Sequence, residues 1–346
     1  MGQRAAEVRT LLVQTSFLGD TVLSTPLIAA IKHLYPESKL WIMTTPLSSH
    51  LVKRDPLIEG VIEFDKRRSQ RGILGLLRMS RFLRTFGFTQ VYSLHRSFRT
   101  SLLLYWSGIA RRVGFQHAKG AFLYTERVER ANGVHDVLRN LSLLSNELDS
   151  LEEHADLRLI PPPKSELGKE VLQSLEDEQP YYVVFPGSVW KTKRWYWQHY
   201  QRVIAHYLEK GKKIIILGGP EDGSLAQKIC DSLGKSSALC NLVGCTSISE
   251  TMYIVSNASL VICNDSMSLH LASAFHIPNV SIFCATSPTF GFGPWRNNAL
   301  VVEKEGLECK PCRRHGSNTC PTGTESCMKD VTPGEVIAAA DKVLLA

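Results

Sequence analysis

The sequence has no apolar run long enough to cross a membrane. Its longest apolar stretch, Ser101–Ala110, lies between two arginines and is about half of the ~20 residues that a transmembrane helix needs. The N-terminal residues lack the apolar core of a signal peptide, and Ala6 stands where a myristoylation signal requires Ser or Thr. We therefore expect a cytoplasmic protein that does not span a membrane.

Three motifs that mark large enzyme classes are also missing. No predicted strand is followed by G-x-G-x-x-G and no G-x-x-x-x-G-K-[ST] occurs, which disfavours a nicotinamide-dependent dehydrogenase and a P-loop ATPase. There is no G-x-S-x-G, the turn that carries the nucleophile of α/β-hydrolases. What remains is an ordinary globular composition, 44% hydrophobic and 21% charged, over 346 residues, which is enough chain for two domains.

Acidic residues are absent from a long part of the N-terminal half. Between Lys66 and Thr125 there are 12 basic residues and no acidic one, and residues 1–150 carry a net charge of +9 while the remainder carries −2. Such a charge attracts an anionic partner, which can be a nucleic acid, a phosphorylated sugar or an anionic membrane surface. A basic face that is merely solvated would give the same pattern.

Short β-branched or apolar runs alternate with longer amphipathic runs, which is typical of βαβ units and parallel sheets. The predicted strands are Arg9–Thr15, Lys39–Thr44, Val61–Phe64, Gln90–Leu94, Tyr181–Phe185, Lys213–Leu217, Ser259–Cys263 and Asn279–Phe283. The predicted helices are Thr21–Leu34, Gly72–Phe86, Phe98–Ile109, Trp195–Lys210, Glu221–Leu233, Ile248–Ser256 and Ser266–Phe275. The pattern predicts an α/β protein with two open parallel sheets that face each other across a cleft.

Three consecutive prolines from Pro161 interrupt this alternation in the weakly patterned stretch Leu157–Lys164, which favours a linker. The predicted organisation is an N-terminal domain over 1–160, a linker over 161–180, a C-terminal domain over 181–330 with a cysteine-rich lobe at 307–328, and a terminal helix over 331–346. Because ligands of open α/β sheets bind beyond the carboxyl ends of strands, the loops after strands are the candidate sites.

The loop after the first predicted strand contains Gly19 and Asp20. The glycine permits a tight turn, and a carboxylate at this place can act as a general base toward an acceptor hydroxyl. Asp is equally favoured there as a helix cap on structural grounds alone. The residues by themselves leave both interpretations open.

Three loops of the C-terminal domain suit a nucleotide. The turn Gly187-Ser188 precedes the cations of Lys191–Arg194, which fit a diphosphate leaving group, although an exposed basic loop is the alternative. Glu221 follows two glycines, where a carboxylate commonly binds ribose hydroxyls, although the first helical turn also favours acids. In the third loop, free N–H groups at the helix start can bind phosphate. This loop follows the predicted strand Ser259–Cys263, and its candidate residues are Asp265, Ser266 and His270. Asp265 is suited to bind sugar hydroxyls or to fix the loop.

Four motifs follow one another along the chain, and the resemblance that they carry extends from Leu11 to Val343. They are Leu18-Gly19-Asp20-Thr21-Val22-Leu23, Pro186-Gly187-Ser188 followed by Lys193-Arg194-Trp195, Gly218-Gly219-Pro220-Glu221, and Asn264-Asp265-Ser266 with His270. With this order and spacing the sequence resembles the bacterial lipopolysaccharide heptosyltransferases, glycosyltransferase family 9. The resemblance implies a GT-B fold of two Rossmann-like domains, with an ADP-heptose donor in the C-terminal domain and a lipid A-linked sugar acceptor in the N-terminal one. It also implies inversion at the anomeric carbon without a required metal or other cofactor.

Carried over by position, the resemblance implies that Asp20 is the catalytic base and that Lys193 binds the donor diphosphate. Met267 departs from the family, which usually has Gly after Asp-Ser, and a side chain there would crowd the donor phosphates. The remaining donor-site residues that the resemblance implies are Gly187, Ser188, Glu221, Asp265, Ser266 and His270.

The basic N-terminal half fits the anionic, phosphorylated lipid A–core acceptor that the resemblance implies. Three residues after the fourth predicted strand are expected to bind acceptor phosphate or carboxylate: His95, Arg96 and Arg99. Four arginines at the start of and along one predicted helix recur at spacings of 7, 3 and 3, which places them on a single face: Arg71, Arg78, Arg81 and Arg84. A basic amphipathic helix suits an anionic membrane surface, so we expect a peripheral protein on the cytoplasmic face of the inner membrane, without a nucleic-acid partner.

Four of the nine cysteines crowd together with the spacing C-x₂-C-x₇-C-x₆-C: Cys309, Cys312, Cys320 and Cys327. A structural zinc site usually shows two close pairs, and here only the first pair is close. Stable disulfides are disfavoured in the cytoplasm. We interpret the cluster as a structural lobe, with a zinc site as the alternative.

Two other functions are compatible with the sequence. A GT-B glycosyltransferase that uses a different nucleotide sugar is slightly favoured by Met267. A non-catalytic protein that binds nucleic acid or an anionic surface would use the basic half and the cysteine-rich lobe, and would bind oligonucleotides in a salt-dependent manner. Basic charge is non-specific, however, and does not explain the loops of the C-terminal domain.

Overall fold

The computed structural model describes the whole chain except Met1–Ala6, Arg67, Ser69 and Ala346. Ala6, which bears on lipidation, and Ala346, the last residue of the predicted terminal helix, therefore lie outside the described residues. The chain divides into two compact units between Ile160 and Pro161, and each unit contains one six-stranded sheet. In the described residues no helix combines the length and the apolar character that crossing a membrane requires.

The strands of the N-terminal unit are β1 (Arg9–Val13), β2 (Lys39–Thr44), β3 (Gly60–Glu63), β4 (Gln90–Ser93), β5 (Arg111–Phe115) and β6 (Glu126–Val128). Their order in the sheet is β3-β2-β1-β4-β5-β6, and all neighbours are parallel. This is the doubly wound order of a Rossmann domain. The central strand β4 is buried along its whole length, as expected where helices cover both faces of a parallel sheet.

The helices of the N-terminal unit are α1 (Leu18–Val22), α2 (Pro26–Leu34), α3 (Pro46–Val52), α4 (Gly72–Thr85), α5 (Phe98–Trp106) and α6 (Asp136–Leu141). The prediction of a single helix over Thr21–Leu34 is wrong, because α1 ends at Val22 and Pro26 begins α2. Proline lacks the N–H for an intrahelical bond and clashes with the preceding turn, but it is well tolerated as the first helical residue.

The strands of the C-terminal unit are β7 (Tyr181–Phe185), β8 (Lys213–Ile216), β9 (Leu239–Asn241), β10 (Leu260–Asn264), β11 (Asn279–Phe283) and β12 (Ala299–Glu303). The sheet order is β12-β11-β10-β7-β8-β9, again with parallel neighbours. Read from the other edge, this is the same doubly wound order as in the N-terminal unit. The predicted α/β fold with two Rossmann-like parallel sheets is confirmed.

The helices of the C-terminal unit are α7 (Lys169–Ser174), α8 (Trp197–Glu209), α9 (Gly223–Leu233), α10 (Ile248–Ser256), α11 (Met267–Ala274), α12 (Ser326–Lys329) and α13 (Pro333–Leu345). The predicted helix from Glu221 begins later, since Pro220–Asp222 forms a separate 3-10 turn. The core of this unit packs the aromatic rings of α8 against the sheet, including the fully buried Tyr200.

Candidate functional site

In each sheet the winding direction reverses between two central strands, β1 and β4 in one unit and β7 and β10 in the other. Ligands of open α/β sheets bind outside the carboxyl ends of the strands at such a switch point. The loops that follow these four strands contain most of the predicted site residues. Each unit therefore has its own cluster at its own switch point.

Asp20 lies in α1, just beyond the loop that follows β1. Its Oδ2 accepts a hydrogen bond of 3.1 Å from the backbone N–H of Phe17, and the side chain is half-buried. The carboxylate therefore caps its own helix, as the structural interpretation predicts. The role of Asp20 as a base is compatible with this contact and stays a prediction.

Lys66 and His95 meet at the carboxyl ends of β3 and β4. Nζ of Lys66 donates to the backbone oxygen of Thr15 at 2.6 Å and lies 3.4 Å from Nε2 of His95, whose Nδ1 lies 2.7 Å from the Thr100 hydroxyl. Burial, helped by Lys66 and Arg96, lowers the pKa of His95 to about 4. The imidazole is thus neutral at pH 7, with one nitrogen to accept and one to donate.

The sequence alone did not single out Lys66, because it is one of several cations in a long basic segment. The signal that would have found it is its position, since it follows one predicted strand as His95 follows another.

The two predicted acceptor-binding arginines are placed differently from His95. Arg96 is exposed in the loop after β4. Arg99 lies on α5, and its guanidinium donates to the backbone oxygens of Gln70 and, at 3.2 Å, Gly72. Arg99 thus holds the segment that leads into α4. Binding of an acceptor anion by these residues and His95 stays a prediction.

Lys193 and Asp265 form an ion pair at the C-terminal switch point, with Nζ 2.6 Å from Oδ2. The Thr286 hydroxyl donates to the same carboxylate oxygen at 2.6 Å. The side chains of Lys193 and Asp265 are only 15% and 7% exposed, and charge-assisted hydrogen bonds of this length are strong and directional. The structure therefore brings the predicted diphosphate-binding cation next to Asp265, which holds the ammonium in place.

Asn264, the last residue of β10, ties the loops of this cluster together. Its Oδ1 accepts the backbone N–H of Trp195 at 3.0 Å, and its Nδ2 donates to the backbone oxygens of Pro186 and Gly187 at 2.9 and 3.1 Å. The side chain is completely buried. Asn264 is a positioning residue that sequence reasoning missed, although it begins the Asn-Asp-Ser motif.

Gly187 is required by a close approach of side chain to backbone. A Cβ atom there would lie 2.1 Å from a carboxylate oxygen of Asp222, which is shorter than any contact between non-bonded atoms. Burial raises the pKa of the Asp222 carboxyl, and Arg194, at 3.5 Å, opposes this rise. Glu221 is exposed beside Gly219. Of the two neighbouring carboxylates, Glu221 is the one that a ligand can reach, as its predicted contact with ribose requires.

The remaining predicted donor residues lie along the same edge of the sheet. Ser188 is 9% exposed in the loop after β7, and His270 is 5% exposed within α11. Ser266 directly precedes α11, and its hydroxyl lies 2.6 Å from that of Ser268. Met267, half-buried, is the first residue of this helix, so a side chain is present where a phosphate would approach the free N–H groups. Contacts of these residues with a donor stay predictions.

Of the four cysteines in the cysteine-rich lobe, Cys327 is buried, and Cys309, Cys312 and Cys320 are half-buried. Among residues 7–66, 68 and 70–345, no group of three or more His, Cys, Asp and Glu side chains is arranged to hold a metal ion. All nine cysteines are free thiols. Burial raises the pKa of Cys327 to about 11, whereas a hydrogen bond with Thr322 lowers the pKa of Cys320 to about 7. The zinc alternative stays a prediction.

The sequence matches the model of one protein family, described as glycosyltransferase family 9 (heptosyltransferase), over residues 76–321. Lipooligosaccharide heptosyltransferase 2 of Campylobacter jejuni is 26% identical over 332 residues, which cover 95% of this chain and 96% of that protein. The similarity therefore extends over nearly the full length of both sequences.

Two solved structures share the fold. The crystal structure of the family 9 glycosyl transferase from Veillonella parvula aligns with a TM-score of 0.86 at 20% identity, over 100% of this chain and 99% of that one. The structure of Escherichia coli ADP-heptose LPS heptosyltransferase II aligns with a TM-score of 0.77 at 20% identity, over 98% and 99%. At this level of identity the likeness shows the fold.

Proposed function

The chain belongs to glycosyltransferase family 9, the heptosyltransferases, and from this premise we propose that it transfers a heptose from ADP-heptose to the lipid A-linked inner core of lipopolysaccharide. The relative from C. jejuni is named as a lipooligosaccharide heptosyltransferase, and the E. coli structure as one that uses ADP-heptose. The observation that carries the proposal is the ion pair of Lys193 and Asp265 with the Thr286 hydroxyl, at the C-terminal switch point.

In the proposed reaction the donor diphosphate binds at Lys193 and the start of α11, with the ribose near Glu221. As the bond between the anomeric carbon and the diphosphate oxygen breaks, negative charge accumulates on ADP. An ammonium held in place by Asp265 stabilises this charge without having to reorganise. Lys193 therefore acts mainly on the departing group.

Asp20 supplies the base of the proposed reaction. It takes the proton from the acceptor hydroxyl while the hydroxyl oxygen attacks the anomeric carbon from the face opposite the diphosphate, so that the configuration inverts. Proton transfer to a positioned carboxylate is general base catalysis. Acceptor phosphates bind to the cations around His95, namely Lys66, Arg96 and Arg99.

A different nucleotide sugar is the second candidate donor, because Met267 occupies the first position of α11. Thermal-shift measurements with ADP, UDP and GDP distinguish the two, since the bound nucleotide stabilises the fold according to its affinity. The other alternative, a non-catalytic binding protein, is wrong because the chain belongs to an enzyme family.

Product analysis tests the proposed function directly. We expect incubation with ADP-heptose and defined truncated lipopolysaccharides to add the mass of one heptose to one of these acceptors. Reactions with UDP- and GDP-sugars serve as controls for the donor, and acceptors truncated to different sugars identify the acceptor. Transfer from a UDP- or GDP-sugar but not from ADP-heptose would replace the proposed donor.

An apolar and basic surface of the N-terminal unit supports attachment to a membrane, which we propose for the cytoplasmic face. This membrane face is formed by α4, α5 and the turn at Ala121–Leu123. The exposed fractions of four of its side chains are 69% for Ile73, 71% for Leu74, 45% for Phe98 and 71% for Phe122.

Basic residues surround these apolar groups. The four arginines of α4 and its start, Arg71, Arg78, Arg81 and Arg84, are all exposed, although Arg84 also donates to the backbone oxygen of Trp106 at 2.6 Å. Apolar side chains among cations favour the interface of an anionic bilayer, where each Lys or Arg contributes ~1 kcal/mol. This position would bring the N-terminal unit to a lipid-linked acceptor.

The double variant Ile73→Glu, Leu74→Glu is expected to weaken binding to phosphatidylglycerol vesicles by at least about tenfold, since it removes apolar contact and adds anions. Co-sedimentation at physiological salt measures the effect, with phosphatidylcholine vesicles for comparison. Leu47→Glu changes a similarly exposed leucine outside the membrane face and should bind like the unmodified protein. Equal binding of all three proteins, or no preference for anionic vesicles, would contradict the proposal.

A further inference from the structure

The cysteine-rich lobe, residues 307–328, is hydrogen-bonded to the loop that carries Lys193. The backbone N–H of Thr192 donates to the backbone oxygen of Ser317 at 3.0 Å, and the N–H of Ser317 donates to the Thr192 hydroxyl at 2.8 Å. Gly316 is buried against the same loop, and a Cβ atom there would lie 3.1 Å from Cγ of Lys193. The lobe thus packs directly on the aliphatic part of the lysine.

The lobe is also bonded to the segment that follows β11 and carries Thr286. The backbone N–H of Cys312 donates to the backbone oxygen of Ala285 at 3.0 Å. Nζ of Lys310 donates to the backbone oxygen of Phe283 at 2.8 Å. The segments that hold Lys193 and Thr286 are therefore both anchored to one lobe, which lies outside the four family motifs.

His315 lies in the lobe next to the residue that packs on Lys193. It directly precedes Gly316, and its imidazole interacts electrostatically with both Lys193 and Asp265. Partial burial, with Arg314 and Lys193, lowers the pKa of His315, so the imidazole is neutral at pH 7. In the described part of the chain its imidazole makes no hydrogen bond. A neutral imidazole still offers one N–H donor to an anion.

We propose that His315 binds the diphosphate of the nucleotide-sugar donor together with Lys193. The proposal rests on the proposed function in that the donor carries a nucleoside diphosphate. The ammonium of Lys193 is shared with Asp265, so a second donor group from the lobe adds a contact to phosphate oxygens that the ion pair alone does not provide. The cysteine-rich lobe is then a wall of the donor site as well as a structural element.

A purely structural role of the lobe predicts something different for variants of His315. Its anchors are the backbone bonds of Ser317 and Cys312 and the side chain of Lys310, none of which involves the imidazole. Removing the imidazole therefore leaves the lobe attached and tests the phosphate contact separately from folding.

The test compares ADP binding by the unmodified protein, His315→Ala, His315→Gln and Asn318→Ala, using calorimetry. A hydrogen bond to a charged group predicts that His315→Ala weakens ADP binding by roughly tenfold to a hundredfold. Its melting temperature should stay unchanged. His315→Gln keeps an N–H donor and should recover part of the affinity. Asn318→Ala changes another exposed residue of the lobe and should bind ADP normally.

Parallel titrations with UDP and GDP separate the two proposals. If the unmodified protein prefers UDP or GDP, the proposed donor is wrong, and the same comparison of variants with the preferred nucleotide still decides the role of His315. Affinity of His315→Ala within twofold of the unmodified protein overturns the proposal. So does a loss of binding that is matched by a large fall in melting temperature and is not relieved in His315→Gln.

Discussion

Replacing Asp20 with Asn is expected to lower kcat by a factor of about 10²–10⁴, the usual contribution of a general base, without changing the affinity for ADP. The reason is that an amide cannot take the proton of the acceptor hydroxyl. The amide oxygen can still accept the N–H of Phe17, which the carboxylate bonds at 3.1 Å, so the hydrogen bond of the capping box is kept. The helix start is thus preserved while the base is lost.

Two further variants separate catalysis from capping. Asp20→Ala removes the hydrogen bond to Phe17 as well and should also lower stability, by about 0.5–1.5 kcal/mol. Glu250→Gln alters the equivalent carboxylate of another capping box, at the start of α10, and should retain full turnover. Steady-state kinetics and thermal unfolding measure the two effects. If Asp20→Asn turns over within threefold of the unmodified protein, Asp20 is only a cap.

Lys193→Met is expected to lower kcat by about 10²–10³, the typical loss when one group that stabilises transition-state charge is removed. It also leaves the Asp265 carboxylate, 7% exposed, without its ammonium partner. An unpaired buried charge is costly, so we expect a fall in stability of about 1–3 kcal/mol, less than for a fully buried pair because Lys193 is 15% exposed. Activity and stability thus both decrease.

The double variant Lys193→Met, Asp265→Asn distinguishes these two effects. Removing both charges should restore most of the stability, whereas turnover should stay low because the cation is still missing. Lys213→Met is the matched control. Lys213 pairs with Asp177 at the amino end of β8, and the site lies at the opposite, carboxyl ends of the strands. It should cost stability and leave turnover intact. Recovered turnover in the double variant would exclude the proposed role of Lys193.

The central strands were predictable because both faces of a parallel sheet are covered, so that their sequences are continuous apolar runs. Tyr181–Phe185, the central strand β7, is such a run and is observed with the predicted bounds. Four strands, β5, β6, β9 and β12, gave no such signal and were not predicted. β5 begins with Arg111 and Arg112, and β12 is only half-buried along its length. These strands form because a neighbouring strand offers its backbone hydrogen bonds, which a single sequence does not reveal.

Local patterns by themselves predicted two open parallel sheets and the loops that carry Asp20, Lys193 and Asp265, since hydrophobic periodicity and strand-ending glycines act over a few residues, whereas the strand orders come from the tertiary structure. Only the tertiary structure decided the partners of these groups. Three contacts join residues that are far apart in the chain: Lys66 with His95, Asn264 with the backbone of Gly187, and the cysteine-rich lobe with Thr192. Such contacts depend on the three-dimensional arrangement of the strand ends, which sequence spacing does not encode.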